Sequence, residues 1–265
     1  MINKPCKLWL SAGSDSTREL EHCISEALLR VDGPVWVFFR ADDIGVPSQK
    51  FTRMLELFSR HRVPLSLAVI PSRITSARWQ RLHRLGRHTD ELWCWHQHGW
   101  RHKNHESAGK KQEFGPARSA ESIRRDIVQG RNRLEMILGK AFFPVFTPPW
   151  NRCNDNTLQI LFALGYLAVS RHQGARPKVP RGLPEFPVAV DLHTRKERTA
   201  MDGWKALLED IHRGIAGGCC GIMLHHQRMN DRAFRFMEYL LETLLKHRQI
   251  NMVNFKELLP LKTNR

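Results

Sequence analysis

Short runs of apolar, β-branched or aromatic residues recur along the chain, and most are followed by a stretch whose apolar positions return every three or four residues. The short runs read as strands over 35–40, 65–70, 92–98, 142–146, 167–170, 186–191, 221–225 and 250–254. The longer stretches read as helices. In 48–61 the residues Phe51, Leu55 and Phe58 share one face, and in 119–138 Ile123, Ile127, Leu134 and Leu138 do the same. Further helices are expected near 202–215 and 231–248, and a leading helix over 18–30 ends before Gly33-Pro34. Strand and helix in repeated alternation give a mainly parallel sheet with helices outside, and this many strands favour closure into a barrel. The expected architecture is an α/β single domain, a (β/α) barrel over 35–265, preceded by a helical lead-in over 1–34. Function in such a barrel gathers at the C-terminal ends of the strands. Two connections are unusually long, the polar segment 103–118, whose large apolar residue is Phe114, and the basic, Pro- and Gly-rich segment 171–184.

Composition narrows the class. With 265 residues, 42% of them hydrophobic, the chain has the makings of one large core and not of a disordered protein. No run approaches the roughly 18 consecutive apolar residues of a membrane span. Pro5, Lys7 and Ser11 interrupt the first residues, so a cleaved secretion signal is not expected. The six cysteines are scattered without a C-x-x-C pair, which suits reduced thiols in a cytoplasmic protein. Lys and Arg number 42 against 26 Asp and Glu, and the resulting +16 predicts attraction to an anion: nucleic acid, a membrane surface or an acidic sugar.

Candidate chemistry lies at the strand ends. Asp42 and Asp43 follow the first strand, where period-two alternation sends their side chains different ways; two adjacent carboxylates there suit a divalent cation or, more simply, a solvated turn that caps the next helix. His96, His98 and His102 end the third strand. Alternation puts His96 and His98 on one face, and Gly99 allows His102 to fold back beside His98, a spacing that suits zinc. His225 and His226 end the strand at 221–225, and imidazole there suits proton transfer or simply a backbone hydrogen bond. Asn230 and Asp231 read as a helix N-cap. Pro148-Pro149-Trp150-Asn151 reads as a rigid pocket wall. Trp100 and Trp150 are candidates for stacking on a sugar face, whereas Trp93 and Trp95 point outward into the core.

Taken in order, these motifs resemble the polysaccharide deacetylase superfamily, the NodB-homology domain of carbohydrate esterase family four, over roughly 35–226. Arg40-Ala41-Asp42-Asp43 is similar to its first motif and His98-Gly99-Trp100-Arg101-His102 to its His-Ser/Thr-x-x-His, with Gly99 in place of the hydroxyl residue. Met223-Leu224-His225 is similar to its last motif. The resemblance implies an irregular barrel with one divalent ion, Zn²⁺ by preference, held by Asp43, His98 and His102, with Asp42 as general base and His225 as general acid. The third motif of the family carries an arginine that orients the base. Here it reads Thr147-Pro148-Pro149-Trp150, leaving Arg40 or Arg152 as substitutes. Asp191 is a loose match to the aspartate that orients the acid, and His226 competes with His225. Trp100, Pro149, Trp150 and His226 would line the substrate, with His96 behind them.

The implied activity is removal of an N-acetyl group from an amino sugar of a glycan or its precursor, with a carbohydrate substrate that the +16 charge suggests is anionic. Three rivals remain: an amidase acting on a small non-sugar amide, a sugar-binding pseudoenzyme, and a nucleic-acid binder using the basic stripe Arg73, Arg78, Arg81, Arg84 and Arg87. The stripe reads more simply as a solvated helix face, so nucleic acid is the weaker partner. His96-x-His98 is also similar to the metal pair of amidohydrolases, but those carry it on the first strand. Oligomeric state is open.

Overall fold

The computed structural model describes residues 4–10 and 17–263. Eight strands are present among them: β1 Val35–Ile44, β2 Leu65–Val69, β3 Trp93–His98, β4 Phe142–Thr147, β5 Ala168–Val169, β6 Val190–Asp191, β7 Cys219–Leu224 and β8 Ile250–Val253. Every pairing is parallel, in the order β5-β4-β3-β2-β1-β7-β6. The first half of β1 pairs with β8 through Val35–Phe38, and its second half pairs with β2 from Phe39 onward, so β8 and β2 share one edge of the central strand.

The ring closes irregularly. Between β5 and β6, Val169 bridges Glu185 and His172 bridges Val188, while Ala189 N–H donates to the Gly221 carbonyl at 2.8 Å, so residues 184–191 run between β5 and β7. The strand expected over 186–191 is therefore regular only at Val190–Asp191. Pro184 and Pro187 supply the reason, since neither can donate to a ladder. Gly221 fits the same place: a Cβ there would run into the Phe38 ring and the Pro187 carbonyl.

Helices α1 Thr17–Leu28, α2 Gln49–Arg60, α3 Ser76–Gly86, α4 Ala120–Leu138, α5 Asp155–Ala163, α6 Ala200–Ala216 and α7 Asp231–Leu245 surround the sheet, and α8 Phe255–Thr263 follows β8. Ser48, Ser119, Asn154, Thr199 and Asn230 cap the N-termini of α2, α4, α5, α6 and α7, each accepting from a backbone N–H three residues on. Helix α1 packs on α6 and α7 and places Leu20, Ile24 and Ala27 in the main core. Periodicity did not single out α5 or α8; both are nine residues long, and α8 contains Pro260.

Alternation sorts β1 and β3 into two layers. Val35, Val37, Phe39 and Ala41, with Trp93 and Trp95, face the helices. Phe38, Cys94, Val145, Ala168, Phe186 and Phe255 fill the barrel interior. Phe255 plugs its lower end, its ring 5.4 Å from Phe38, 5.0 Å from Phe186 and 4.9 Å from His96. Above this apolar floor the inward residues turn polar: Arg40, His96, Thr147 and Ser170 are all fully buried. Apolar packing thus ends where the chemistry begins.

Candidate metal centre at the barrel mouth

Asp42 and Asp43 belong to β1 itself. The β1–β2 register slips between Ala41 and Ile44, and Asp43 adopts the left-handed region at φ 65°, which together re-aim the strand end. Strict alternation, which would send the two carboxylates apart, is therefore broken, and both feel the charges of His98 and His225. Gln227 holds the distortion by donating to the Asp43 carbonyl at 2.9 Å.

Asp43, His98 and His102 converge, with one ligand atom from each lying within 4.8 Å of the others. Asp43 Oδ1 is 3.5 Å from His98 Nε2 and 3.2 Å from His102 Nε2, yet it is buried without a hydrogen-bond partner. His98 Nδ1 lies 3.0 Å from the Thr147 carbonyl, which fixes a proton there, so that the neutral ring turns its Nε2 lone pair toward Asp43 and His102. One oxygen and two nitrogens around a common point fit a divalent ion of borderline softness. With no cation bound, Asp43 and Asp42 more than offset burial and raise His98, a proton that a divalent ion would displace. Burial would raise the Asp43 carboxyl, but His98, His225 and His102 hold it well below the ordinary value. Burial and the charge of His98 bring His102 down to about 4, so it stays neutral and able to ligate.

Asp42 sits against Arg40. Arg40 Nε and Nη2 each reach one oxygen of the Asp42 carboxylate at 2.8 Å, and both side chains are buried. The remaining guanidinium donors go to Ser170, through its carbonyl at 3.1 Å and its hydroxyl at 2.9 Å, and to Asn151 Oδ1 at 2.7 Å. Burial alone would raise the Asp42 carboxyl; Arg40, then His98 and His225, more than reverse this and leave it lowered. Arg152 is elsewhere, donating to the Lys111 carbonyl at 3.4 Å. Of the two arginines considered as substitutes, the structure brings Arg40 to the carboxylate.

A family model described as Polysaccharide deacetylase matches residues 33–169, just over half of the chain. The chain belongs to this family. Among solved structures, a polysaccharide deacetylase from Mycobacterium smegmatis superposes with TM-score 0.64 at 16% identity, over 88% of this chain and 92% of that one. A family 4 acetyl xylan esterase from Clostridium thermocellum, in complex with a cobalt ion, gives 0.52 at 17% identity over 86% and 92%. A mutant of a family 4 pseudoenzyme, whose wild-type form comes from Bacillus anthracis, gives 0.53 at 15% identity over 86% and 68%. These identities support the fold alone. No individual curated protein matches the sequence.

The remaining expected site residues of this polysaccharide deacetylase family member separate. His225 is part-exposed at the end of β7 and acts on the charges of both Asp42 and Asp43. His226 points behind the site. It is 1% exposed against the Phe51 ring, 5.5 Å away, burial lowers it to about 3, and it presents almost no surface at the mouth. Asp191 does not orient His225 either: its carboxylate accepts from the His193 and Thr194 amides and the Thr194 hydroxyl, capping its own turn. The residue beside His225 is His193, whose Nδ1 accepts from the His225 amide at 3.0 Å. His96 lies one layer below, with Nε2 2.9 Å from Thr147 Oγ1, and burial brings it to about 3. Trp150 stands at φ 57° with its ring 4.4 Å from that of His102, at the mouth. Trp100 instead packs toward the Phe114 cluster, and Pro149 is buried behind Gly99. Sequence reasoning missed Ser170 and Glu113, which carry no local signal, and placed Asn151 in the pocket wall without its bond to Arg40.

Exposed Arg73, Arg78, Arg81 and Arg84 are the solvated face expected for the basic stripe. No disulfide joins any of the six cysteines, and no helix among the described residues is long and apolar enough to cross a membrane.

Proposed function

We propose that the chain is a metal-dependent deacetylase that removes the N-acetyl group from an amino sugar of a glycan or glycan precursor. The observation that carries this reading is the convergence of Asp43, His98 and His102 beside an arginine-paired Asp42 at the mouth of a deacetylase-family barrel. Asp43, His98 and His102 would hold the divalent ion, with zinc the best match to the donors. When bound, the ion supplies Lewis-acid polarisation of the amide carbonyl and acidifies water.

Asp42 takes the proton of the attacking water. Arg40 keeps its carboxylate ionised and fixed in plane, while the second lone pair of each oxygen remains for that proton. His225 then donates a proton to the departing amine, its backbone held by His193. Trp150 offers an indole face beside His102 for the sugar ring. Exposed Lys50 and Arg73, and part-exposed Arg152 and Arg228, follow β1, β2, β4 and β7, Lys50 in the first turn of α2. This favours a sugar with an anionic group near the acetamide.

The test is ion content together with acetate release from neutral, uronic-acid-bearing and phosphorylated N-acetylated sugars, run beside an Asp43→Ala, His98→Ala double variant. About one ion per chain and acetate release, fastest on the anionic substrates and both lost in the variant, is the expected result. Ion without release across the panel would favour the non-catalytic sugar binder. Absence of any ion would sink the site assignment.

A further inference from the structure

The polar connection 103–118 is unexplained by the chemistry above, yet it delivers a fully buried carboxylate to the site. Glu113 is 0% exposed, and its two oxygens accept three consecutive backbone amides, Trp100 at 3.2 Å, Arg101 at 2.6 Å and His102 at 3.1 Å. These amides form the turn joining His98 to His102. That turn is conformationally demanding, since Gly99 at φ 58° and His102 at φ 56° both stand in the left-handed region. A Cβ on Gly99 would collide with the Glu113 carboxylate and come within 2.6 Å of Pro149 Cγ. Position 99 is where the related motif carries Ser or Thr, so glycine here and Glu113 there share one space.

The loop is built to hold Glu113. Phe114 is buried against Phe146 and pairs with Cys153, and its carbonyl accepts the Asn154 amide at 2.9 Å. Asn104 Oδ1 accepts the amides of Glu106 and Gln112, and His105 N–H donates to the Gln112 carbonyl at 2.9 Å. Arg118 ties the far end to Asp126 at 2.7 Å and donates to the Glu113 carbonyl at 3.3 Å.

We propose that Glu113 is a positioning residue of the metal centre, locking the Gly99–His102 turn so that His102 stands ready beside Asp43 and His98. The proposal rests on the functional reading above. Buried carboxylates that accept several amides fix backbone as well as adding negative charge near a bound cation.

The experiment measures Zn²⁺ affinity by chelator competition and the visible absorption of the Co²⁺-loaded protein, for wild type, Glu113→Gln and the exposed control Glu121→Gln. Glu113→Gln is expected to weaken Zn²⁺ binding by about ten- to hundredfold and to change the Co²⁺ spectrum, with the control unchanged. A purely structural role would lower the melting temperature and leave the spectrum of the folded protein as it was. A wild-type chain that binds no ion overturns the functional reading and this assignment together. A wild-type chain that binds, with a Glu113→Gln variant that binds as tightly and gives the same spectrum, overturns this assignment alone. If Glu113→Gln does not fold, amide hydrogen exchange in wild type decides. The Trp100, Arg101 and His102 amides should exchange at least about tenfold more slowly than those of exposed residues 107–110, and equal rates would refute the lock.

Discussion

Asp42 is 3% exposed and keeps its charge through Arg40, which is 0% exposed and donates two hydrogen bonds to it. Removing one member of such a pair leaves the other buried without compensation, a loss of about 3–5 kcal/mol. Arg40→Met should therefore lower the urea midpoint sharply, and the Arg40→Met, Asp42→Asn double variant should recover much of the loss. If the double variant is no more stable than the single, the orphaned charge is not the cause. Both should lose turnover, since neither keeps an ionised, oriented carboxylate. The pair was half-legible in the sequence: Arg40 and Asp42 are two apart on a strand and so share a face. The clustering of Asp43, His98 and His102 was legible from spacing and resemblance, and His226 was not separable from His225 because one residue changes the face. Glu113 was illegible, because nothing local marks a glutamate in a polar loop as one that folds back eleven positions onto a histidine amide.

At the scale of elements, strands with dense apolar runs were readable and those broken by proline were not. Residues 184–191 close the ring through isolated bridges, and only contact with Val169 and Gly221 makes them part of the sheet. The β1 bulge was equally hidden, being set by the mismatch with β2 and by Gln227, and it decides where both aspartates point. Helix α8 shows the same dependence on context: it is short, contains Pro260, and is justified by Phe255, which fills the base of the barrel. Phe255→Ala would empty a space bounded by Phe38, Phe186 and His96 and should cost about 3–5 kcal/mol. Phe255 touches His96 but none of the three ion donors, so Zn²⁺ affinity of the folded variant should stay within about threefold of wild type. A large drop in affinity with little change in urea midpoint would contradict this division between floor and mouth.

Considered whole, the molecule buries neutral imidazoles in a strongly basic protein, and this sets its response to acid. Burial lowers His226 and His96 to about 3 and His193 well below its ordinary value, each from 6.5. The unfolded chain protonates these groups as pH falls below about 6.5, while the folded chain does not until much lower pH. Their contribution to stability is thus complete above pH 6.5 and is lost progressively as pH falls toward about 3. Asp42 and Asp43, lowered when folded, act in the same sense below the ordinary carboxylate value of 3.8. His98 acts the other way: burial lowers it, but Asp43 and Asp42 more than reverse this, so it favours the fold as it gains a proton. One raised histidine stands against four strongly lowered ones, His96, His102, His193 and His226, and the balance favours acid destabilisation. Since one pKa unit corresponds to about 1.4 kcal/mol, the loss from His226 alone is on the order of a few kcal/mol. In chelator-treated protein, where ion release cannot contribute, urea midpoints should fall steadily from near pH 7 to near pH 5. His226→Leu removes a buried group with an unpartnered Nδ1 and should make that slope shallower. A midpoint independent of pH over this range, or an unchanged slope in the variant, would show that these histidines are protonated in the folded protein after all.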